Sequence, residues 1–142
     1  MLNAMKETSA GFTADDAMVE LAKKSLVDAI EYLAQLGPVV LNTASLLRGG
    51  DDFRAQESYI TVIGSLESFT TVLGCITTAL QLDVEAPLSG TSVAGAIAAL
   101  NSIFEEMVAA QQNNDWVMLA DLLEYELAPN LDLWKGILST LA

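Results

Sequence analysis

Carboxylates are the side chains best suited to acid–base chemistry in this chain, which has 19 Asp and Glu residues. A pair of carboxyl groups at a suitable separation can donate and accept a proton. Asp121 and Glu124 are one helical turn apart, but acids at this spacing opposite an apolar stripe are typical of a solvated helix face. Glu67 stands nearly alone among apolar and hydroxyl residues. A surface position is the favoured interpretation for Glu67, and a buried functional carboxylate is the alternative.

The sequence contains no histidine, which removes the commonest general base and the commonest transition-metal ligand. Neither a catalytic triad nor a Glu-x-x-His di-iron site can therefore be built. No glycine-rich loop ends in Lys-Ser or Lys-Thr, as a phosphate-binding loop does. Asp51 and Asp52 lack the further oxygen ligands of a calcium loop. We expect no enzyme, no catalytic residue, no cofactor and no metal; a carboxylate-based enzyme around Glu67 or Asp121 remains the alternative.

Three aromatic side chains near the C-terminus suggest recognition of a protein partner. Trp116 and Trp134 are eighteen residues apart, about five turns, so a straight helix would place both on one face. Tryptophan rings often anchor partner helices in grooves, although core packing is the favoured role for each. Tyr125 has a different register and is the first candidate for an exposed aromatic. The predicted partner-binding residues are Tyr125, Trp116 and Trp134.

The first element that has to position these side chains is a long N-terminal helix. Thr13 is a suitable N-cap ahead of the acids Asp15 and Asp16. We predict a flexible tail over residues 1–12, without the apolar core of a secretory signal, and a single domain over 13–142. Pro38 predicts either a kink in one long helix, which we favour, or a break into two. The predicted inner face consists of Met18, Leu21, Ala22, Leu26, Ala29, Ile30, Leu33 and Leu36.

A second helix is predicted from Phe53 to Leu82. Residues spaced by seven, with others at the alternate positions, predict its seam: Tyr59, Val62, Ile63, Leu66, Phe69, Thr70, Leu73, Ile76, Thr77 and Leu80. A second stripe contains only small side chains, which allow another helix to approach closely: Gly64, Ser68, Thr71, Cys75 and Thr78. We therefore expect this helix to be covered on two sides, with Cys75 in a packed interior.

Two further helices follow a loop over residues 83–90. Thr91 or Ser92 is the predicted N-cap of the third helix, and Asp115 that of the fourth. The intervening polar turn is short, which implies antiparallel neighbours. Pro129 predicts a bend near Tyr125 or Glu126, or a split of the helix there. The predicted fold is all-α, an antiparallel up-and-down four-helix bundle with long, Pro-kinked helices.

The composition of the chain indicates which kinds of partner it can bind. The net charge of −13 repels phosphate backbones and anionic lipids, so we expect no nucleic acid. The uncharged stretch over 86–104 is interrupted by polar and glycine residues, so we expect no membrane span. Apolar residues make up 52% of the chain, slightly above the usual share, which favours a protein partner or a homo-oligomer. The single cysteine fits a cytoplasmic location.

Several segments resemble the flagellin-specific export chaperones of bacteria, acidic helical bundles that hold the unpolymerised filament subunit. The first helix, SLVDAIEYLAQ, leads to a RGGDD turn, and ESYITVIGSLESFTTVLGCI is similar to the long second helix of that family. The end, FEEMVAAQQNNDWVMLADLLEYELAPNLDLWKGIL, resembles its last pair of helices, finishing on Trp134 and Lys135. Pro38, Pro129 and the lack of a tyrosine-rich N-terminal segment depart from that pattern. DWVMLADLLEYELAP also resembles a segment of uncharacterised bacterial helical proteins. The resemblance implies a non-enzymatic chaperone or adaptor; a structural homodimer is the alternative.

Overall fold

The computed structural model describes residues 14–88 and 90–142, and this part of the chain is all-α with four helices. The predicted tail and the Thr13 cap lie outside it. The fourth helix is continuous but contains a π-helical segment, and we call its three parts together the C-terminal helix. The elements are α1 (Ala14–Gly49), α2 (Asp52–Ala79), α3 (Val93–Gln112), α4 (Trp116–Asp121), the π segment (Leu122–Leu127) and α5 (Ala128–Leu141).

The first helix passes through Pro38 without a break, as predicted for one long helix. Proline has no N–H, so the carbonyl of Ala34 loses its partner in the helix. Both Ala34 and Pro38 are exposed, which leaves that carbonyl available to water. Most of the predicted inner face of α1 is buried, but Met18 and Leu21 are 56% and 64% exposed. The prediction for these two residues is wrong: they lie in the first turns of α1, and the buried face of the helix begins at Ala22.

The second helix is buried or half-buried along its predicted seam, except at Thr70, which is exposed, and it is exposed along its stripe of small residues. Tyr59, Leu66 and Leu73 are buried, as predicted. In contrast, the whole small-residue stripe, including Cys75, is exposed. The expectation that α2 is covered on two sides is therefore wrong for the part of the chain that the structure describes. The backbone contacts explain the difference, because α1 is the one helix whose Cα atoms come within 8 Å of those of α2.

Both predicted caps after the central loop are confirmed. Ser92 Oγ accepts a hydrogen bond from the Gly95 N–H at 3.0 Å, which selects Ser92 over Thr91 as the N-cap of α3. Asp115 Oδ1 accepts from the Met118 N–H at 3.0 Å at the start of α4. Each side chain satisfies a donor that has no intrahelical partner.

Pro129 is accommodated by the π segment rather than by a split of the helix. In this segment the Ala128 N–H donates to the Leu123 carbonyl, five residues earlier. Pro129 itself donates no backbone hydrogen bond, which disturbs the ladder one turn upstream. The π segment includes Tyr125 and Glu126, where we predicted the distortion. π-Helical turns of this kind occur frequently at functional sites.

One hydrophobic core joins all four helices. α1 lies between α2 and the C-terminal helix, and α3 packs against the C-terminal helix, whereas no Cα atom of α2 lies within 8 Å of one in α3. Side chains fill the space between these more distant elements. Phe69 of α2 meets the fully buried Trp134 of α5 edge to face, with ring centroids 5.5 Å apart.

In the described part of the chain, two helices, α2 and α3, are long and apolar enough to cross a membrane by length and composition alone. Core helices of water-soluble proteins meet the same criterion. In the most apolar 18-residue stretch of each helix, 28% of α2 and 33% of α3 is buried within the chain. Most exposed positions of α2 and α3 carry small or polar side chains, and the exposed large apolar residues of these two helices are Phe53, Ile60, Val72 and Val108.

Candidate partner-binding site

The structure separates the three predicted aromatic residues. Tyr125 is 66% exposed on the π segment, so the expectation of an exposed aromatic at this position is confirmed. Trp116 is half-buried and packs against the edge of the core beside Leu47 and Ala55. Trp134 is completely buried. Its ring has no surface for a partner to contact, so Tyr125 and Trp116 remain as candidates.

Arg48, at the end of α1, connects to the outer face of the C-terminal helix. Its guanidinium is 2.9 Å from Asp121 Oδ1 and 2.5 Å from Glu124 Oε2. The same group lies 5.9 Å from the centre of the Tyr125 ring, within cation–π range. The hydrogen bond to Asp121 is the main cause that raises the pKa of Arg48 further above its usual value. The carboxylate pair singled out in the sequence therefore binds an internal cation.

Glu67 is exposed, which confirms the surface interpretation. Its backbone carbonyl accepts hydrogen bonds from the hydroxyls of Thr70 and Thr71, at 2.9 and 3.0 Å. The two threonines thus satisfy a local backbone group instead of forming a site with the Glu67 carboxylate.

A polar groove runs between α3 and the C-terminal helix, and we call it the Pro129 groove. It has a volume of about 480 Å³. Its lining combines apolar, hydroxyl, amide and acidic side chains: Ala99, Ser102, Ile103, Glu106, Tyr125, Glu126, Pro129, Asn130 and Leu133. Two of these residues are acidic and none is basic, so the groove suits a cationic group.

Asn130, in the wall of the Pro129 groove, is 93% buried, and its Oδ1 has no hydrogen-bond partner. A buried polar atom without a partner costs about 1–3 kcal/mol. Among the described residues, Tyr59 Oη and Trp134 Nε1 are also buried without partners, but neither residue lines this groove. Sequence reasoning missed Asn130, because an asparagine near a helix-breaking proline is an ordinary surface residue in most helices.

A second, more apolar groove runs between α1 and α2, and we call it the α1–α2 groove. Its volume is about 360 Å³, and it is lined by Ser25, Asp28, Ala29, Tyr32, Ser68, Phe69 and Val72. The side chains of Tyr32 and Val72 are about two-fifths exposed at its edges. Ser68 also belongs to the small-residue stripe, so the groove is continuous with the exposed face of α2.

The surface groups found here are able to form ion pairs, hydrogen bonds and apolar contacts. In the described part of the chain, no group of three or more Cys, Asp and Glu side chains is arranged to hold a metal ion. The two grooves and the Arg48 cluster bring charged, polar and apolar side chains together at the surface, which makes them candidates for recognition of another molecule.

Comparison with known proteins identifies the family. Neither the curated proteins nor the solved structures contain a match to the chain. Residues 24–137 match the family described as Domain of unknown function (DUF8042). The matched range includes Arg48, Tyr125 and every residue that lines the two grooves. Because the match extends over most of the 142 residues, the chain belongs to the DUF8042 family.

Proposed function

We propose that the chain is a non-enzymatic helical binding module of the cytoplasm, which holds a helix of a partner protein in the α1–α2 groove. The observation that carries this proposal is the exposed face of α2. Between residues 58 and 82, Glu67 is the only charged residue, yet Ile60 and Val72 are exposed. Clusters of exposed apolar side chains are typical of sites that bind other proteins, and Ile60 and Val72 supply exposed apolar side chains on this face. Val72 lies where this face meets the groove.

Within this proposal, a flagellar-type export chaperone or adaptor is the specific role that we favour. The all-helical fold, the net charge of −13 and the resemblance of four segments support it. We also propose that the helices form an antiparallel up-and-down bundle. The connections support this arrangement, because two residues join α1 to α2 and three join α3 to α4, and such short links favour antiparallel neighbours.

Titration calorimetry with purified flagellin tests the proposed role. We expect binding by the wild-type chain and its loss in Val72→Asp, which places a charge in the α1–α2 groove. Val117→Asp, at an exposed position on α4, is the matched control and should bind as the wild type does. A monomer that binds no flagellin and retains no other protein during purification would contradict the proposal.

A structural homodimer is the second candidate, and the exposed small-residue stripe of α2 favours it. Small side chains let two helices approach closely, and Gly64 has no atom within 4 Å of the position that a Cβ would occupy. Light scattering over a range of concentrations tests this role. A dimer that Gly64→Leu dissociates would support it, whereas a monomer at all concentrations excludes it.

A further inference from the structure

The α1–α2 groove continues onto an exposed apolar part of α1. Met18 and Leu21 are large apolar residues, yet they are 56% and 64% exposed. They are followed along α1 by Ser25, Asp28 and Tyr32, which line the groove. The five residues are spaced by three, four, three and four positions. At about 100° per residue, their side chains fall within an arc of about 80° on one side of α1. We call these five residues the α1 stripe.

Apolar residues of both helices form the part of the groove that the α1 stripe borders. Ala29 of α1 and Phe69 of α2 line it and are buried. Tyr32 and Val72 stand about two-fifths exposed at its edges. An apolar side chain that enters the groove would therefore contact α1 and α2 together, and a neighbouring side chain one turn away would reach Leu21.

The spacing of the α1 stripe identifies the kind of structure that fits it. Alternating spacings of three and four are those by which one helix packs along another. The α1 stripe keeps this spacing from Met18 to Tyr32, a distance of about 21 Å along the helix axis. An extended segment repeats its side chains every second residue, so it would not stay in phase over this length. The surface therefore fits a helix of about four turns.

Asp28 is the charged residue of the α1 stripe, and it lies within the groove. It takes part in none of the ion pairs formed within residues 14–88 and 90–142, not even with Lys24 one turn earlier. A Lys or Arg of a partner helix would pair with this carboxylate while its methylene stem covered apolar surface. A second copy of the chain fits less well, because two chains of net charge −13 repel each other.

We propose that the α1–α2 groove and the α1 stripe together bind one amphipathic helix of a partner protein, with apolar residues spaced by threes and fours and a Lys or Arg opposite Asp28. This inference rests on the proposed function, which places a partner helix in the groove. It extends the contact beyond the groove to Leu21 and Met18. It also makes Asp28 the residue that selects the charge of the partner helix.

Titration calorimetry of flagellin with variants of the full chain tests how far the contact extends. We expect Leu21→Asp to weaken binding at least about tenfold, because a large apolar side chain is lost from the contact and a charge enters it. Val27→Asp is the matched control, since Val27 is 58% exposed on the same helix and points about 100° or more away from every residue of the α1 stripe. It should bind as the wild type does. Circular dichroism checks that both variants are folded.

A pair of stapled helical peptides tests the charge preference without flagellin. Each has about four turns, with Leu spaced by threes and fours, and one peptide carries Lys at the central position where the other carries Glu. We expect the wild type to bind the Lys peptide more tightly and Asp28→Lys to reverse this preference. Glu105→Lys changes the net charge by the same amount at an exposed position on α3, and it should leave the preference in place.

Equal affinities of Leu21→Asp and Val27→Asp, or a peptide preference that Asp28→Lys does not reverse, would overturn the inference. Loss of flagellin binding in Val72→Asp but not in Leu21→Asp would remove the inference and leave the proposed function intact. If neither flagellin nor the peptides bind, both are wrong. A dimer in light scattering that Leu21→Asp dissociates would assign the α1 stripe to a second copy and would also overturn the inference.

Discussion

Tyr59 carries a hydroxyl that the core buries without a hydrogen-bond partner. Desolvation by burial raises the pKa of Tyr59 above its usual value of about 10. The unfolded chain then loses this proton at a lower pH than the folded chain does. The contribution of Tyr59 to stability should therefore be constant below about pH 10 and should fall as the pH rises from there through the folded-state pKa of Tyr59.

We predict that Tyr59→Phe stabilises the fold by about 1 kcal/mol at neutral pH, because it removes a buried polar atom that has no partner. It should also remove the loss of stability at alkaline pH that the ionisation of Tyr59 causes. Urea denaturation at neutral pH and above pH 10 measures both effects. Tyr125→Phe, at an exposed position, is the control. A loss of stability in Tyr59→Phe at neutral pH would show that the hydroxyl does have a partner.

The two tryptophans should respond very differently to truncation. Trp134 is completely buried against Phe69, whereas Trp116 is half-buried at the edge of the core. We predict a loss of about 3–5 kcal/mol for Trp134→Ala, because a large cavity forms, and a clearly smaller loss for Trp116→Ala. Chemical denaturation followed by circular dichroism provides the comparison. Equal losses would contradict the assignment of Trp134 to the core.

Contacts between residues a few positions apart could be predicted from the sequence, whereas contacts between residues far apart in the chain could not. The caps at Ser92 and Asp115 follow from side chains that bind N–H groups three residues away. Arg48 binds Asp121, which is 73 residues away in the chain. The spacing of apolar residues along the helices does not predict such a pair. Whether the side-chain oxygen of Asn130 has a hydrogen-bond partner likewise depends on how α3 packs beside it.

At the scale of elements, α2 contains an exposed glycine in its interior, Gly74. A Cβ at Gly74 would meet no atom of another element within 4 Å, and glycine in a helix interior costs about 0.5–1 kcal/mol relative to alanine. We predict that Gly74→Ala stabilises the chain by about that amount, measured by urea denaturation. Gly50→Ala is the contrasting variant and should be destabilising, because Gly50 has a φ of +75°. Destabilisation by Gly74→Ala would contradict the assignment of Gly74 to an open position on α2.

Helix periodicity correctly predicted four helices and most of the buried residues, but not which elements would be neighbours. The seam of α2 is buried as expected, since apolar spacing defines one face. The small-residue stripe of the same helix could be interpreted only by assuming another helix beside it. Among the described helices, only α1 brings its backbone close to that of α2, and the stripe stays exposed.

At the scale of the whole molecule, the excess of 13 negative charges opposes folding through self-repulsion. The ion pairs of Arg48 and Lys135 offset little of it, because they are exposed. We predict that the free energy of unfolding rises as NaCl is added up to about 0.15 M, where the Debye length falls to about 8 Å. Arg48→Gln should gain more from salt than the wild type, since it has lost an attraction that salt would weaken. A fall in stability with salt would show that specific ion pairs dominate.

The π segment also determines where this chain can change its length. Each π turn closes its hydrogen bond over one residue more than an α turn does. An insertion or deletion elsewhere in the C-terminal helix rotates everything beyond it by about 100°, which would turn Trp134 out of the core. Within Leu122–Leu127, a change of one residue can instead convert π turns to α turns or back. We therefore expect relatives that differ in length by one residue to carry the insertion or deletion in this segment. The inner face of α5 would then still face the core.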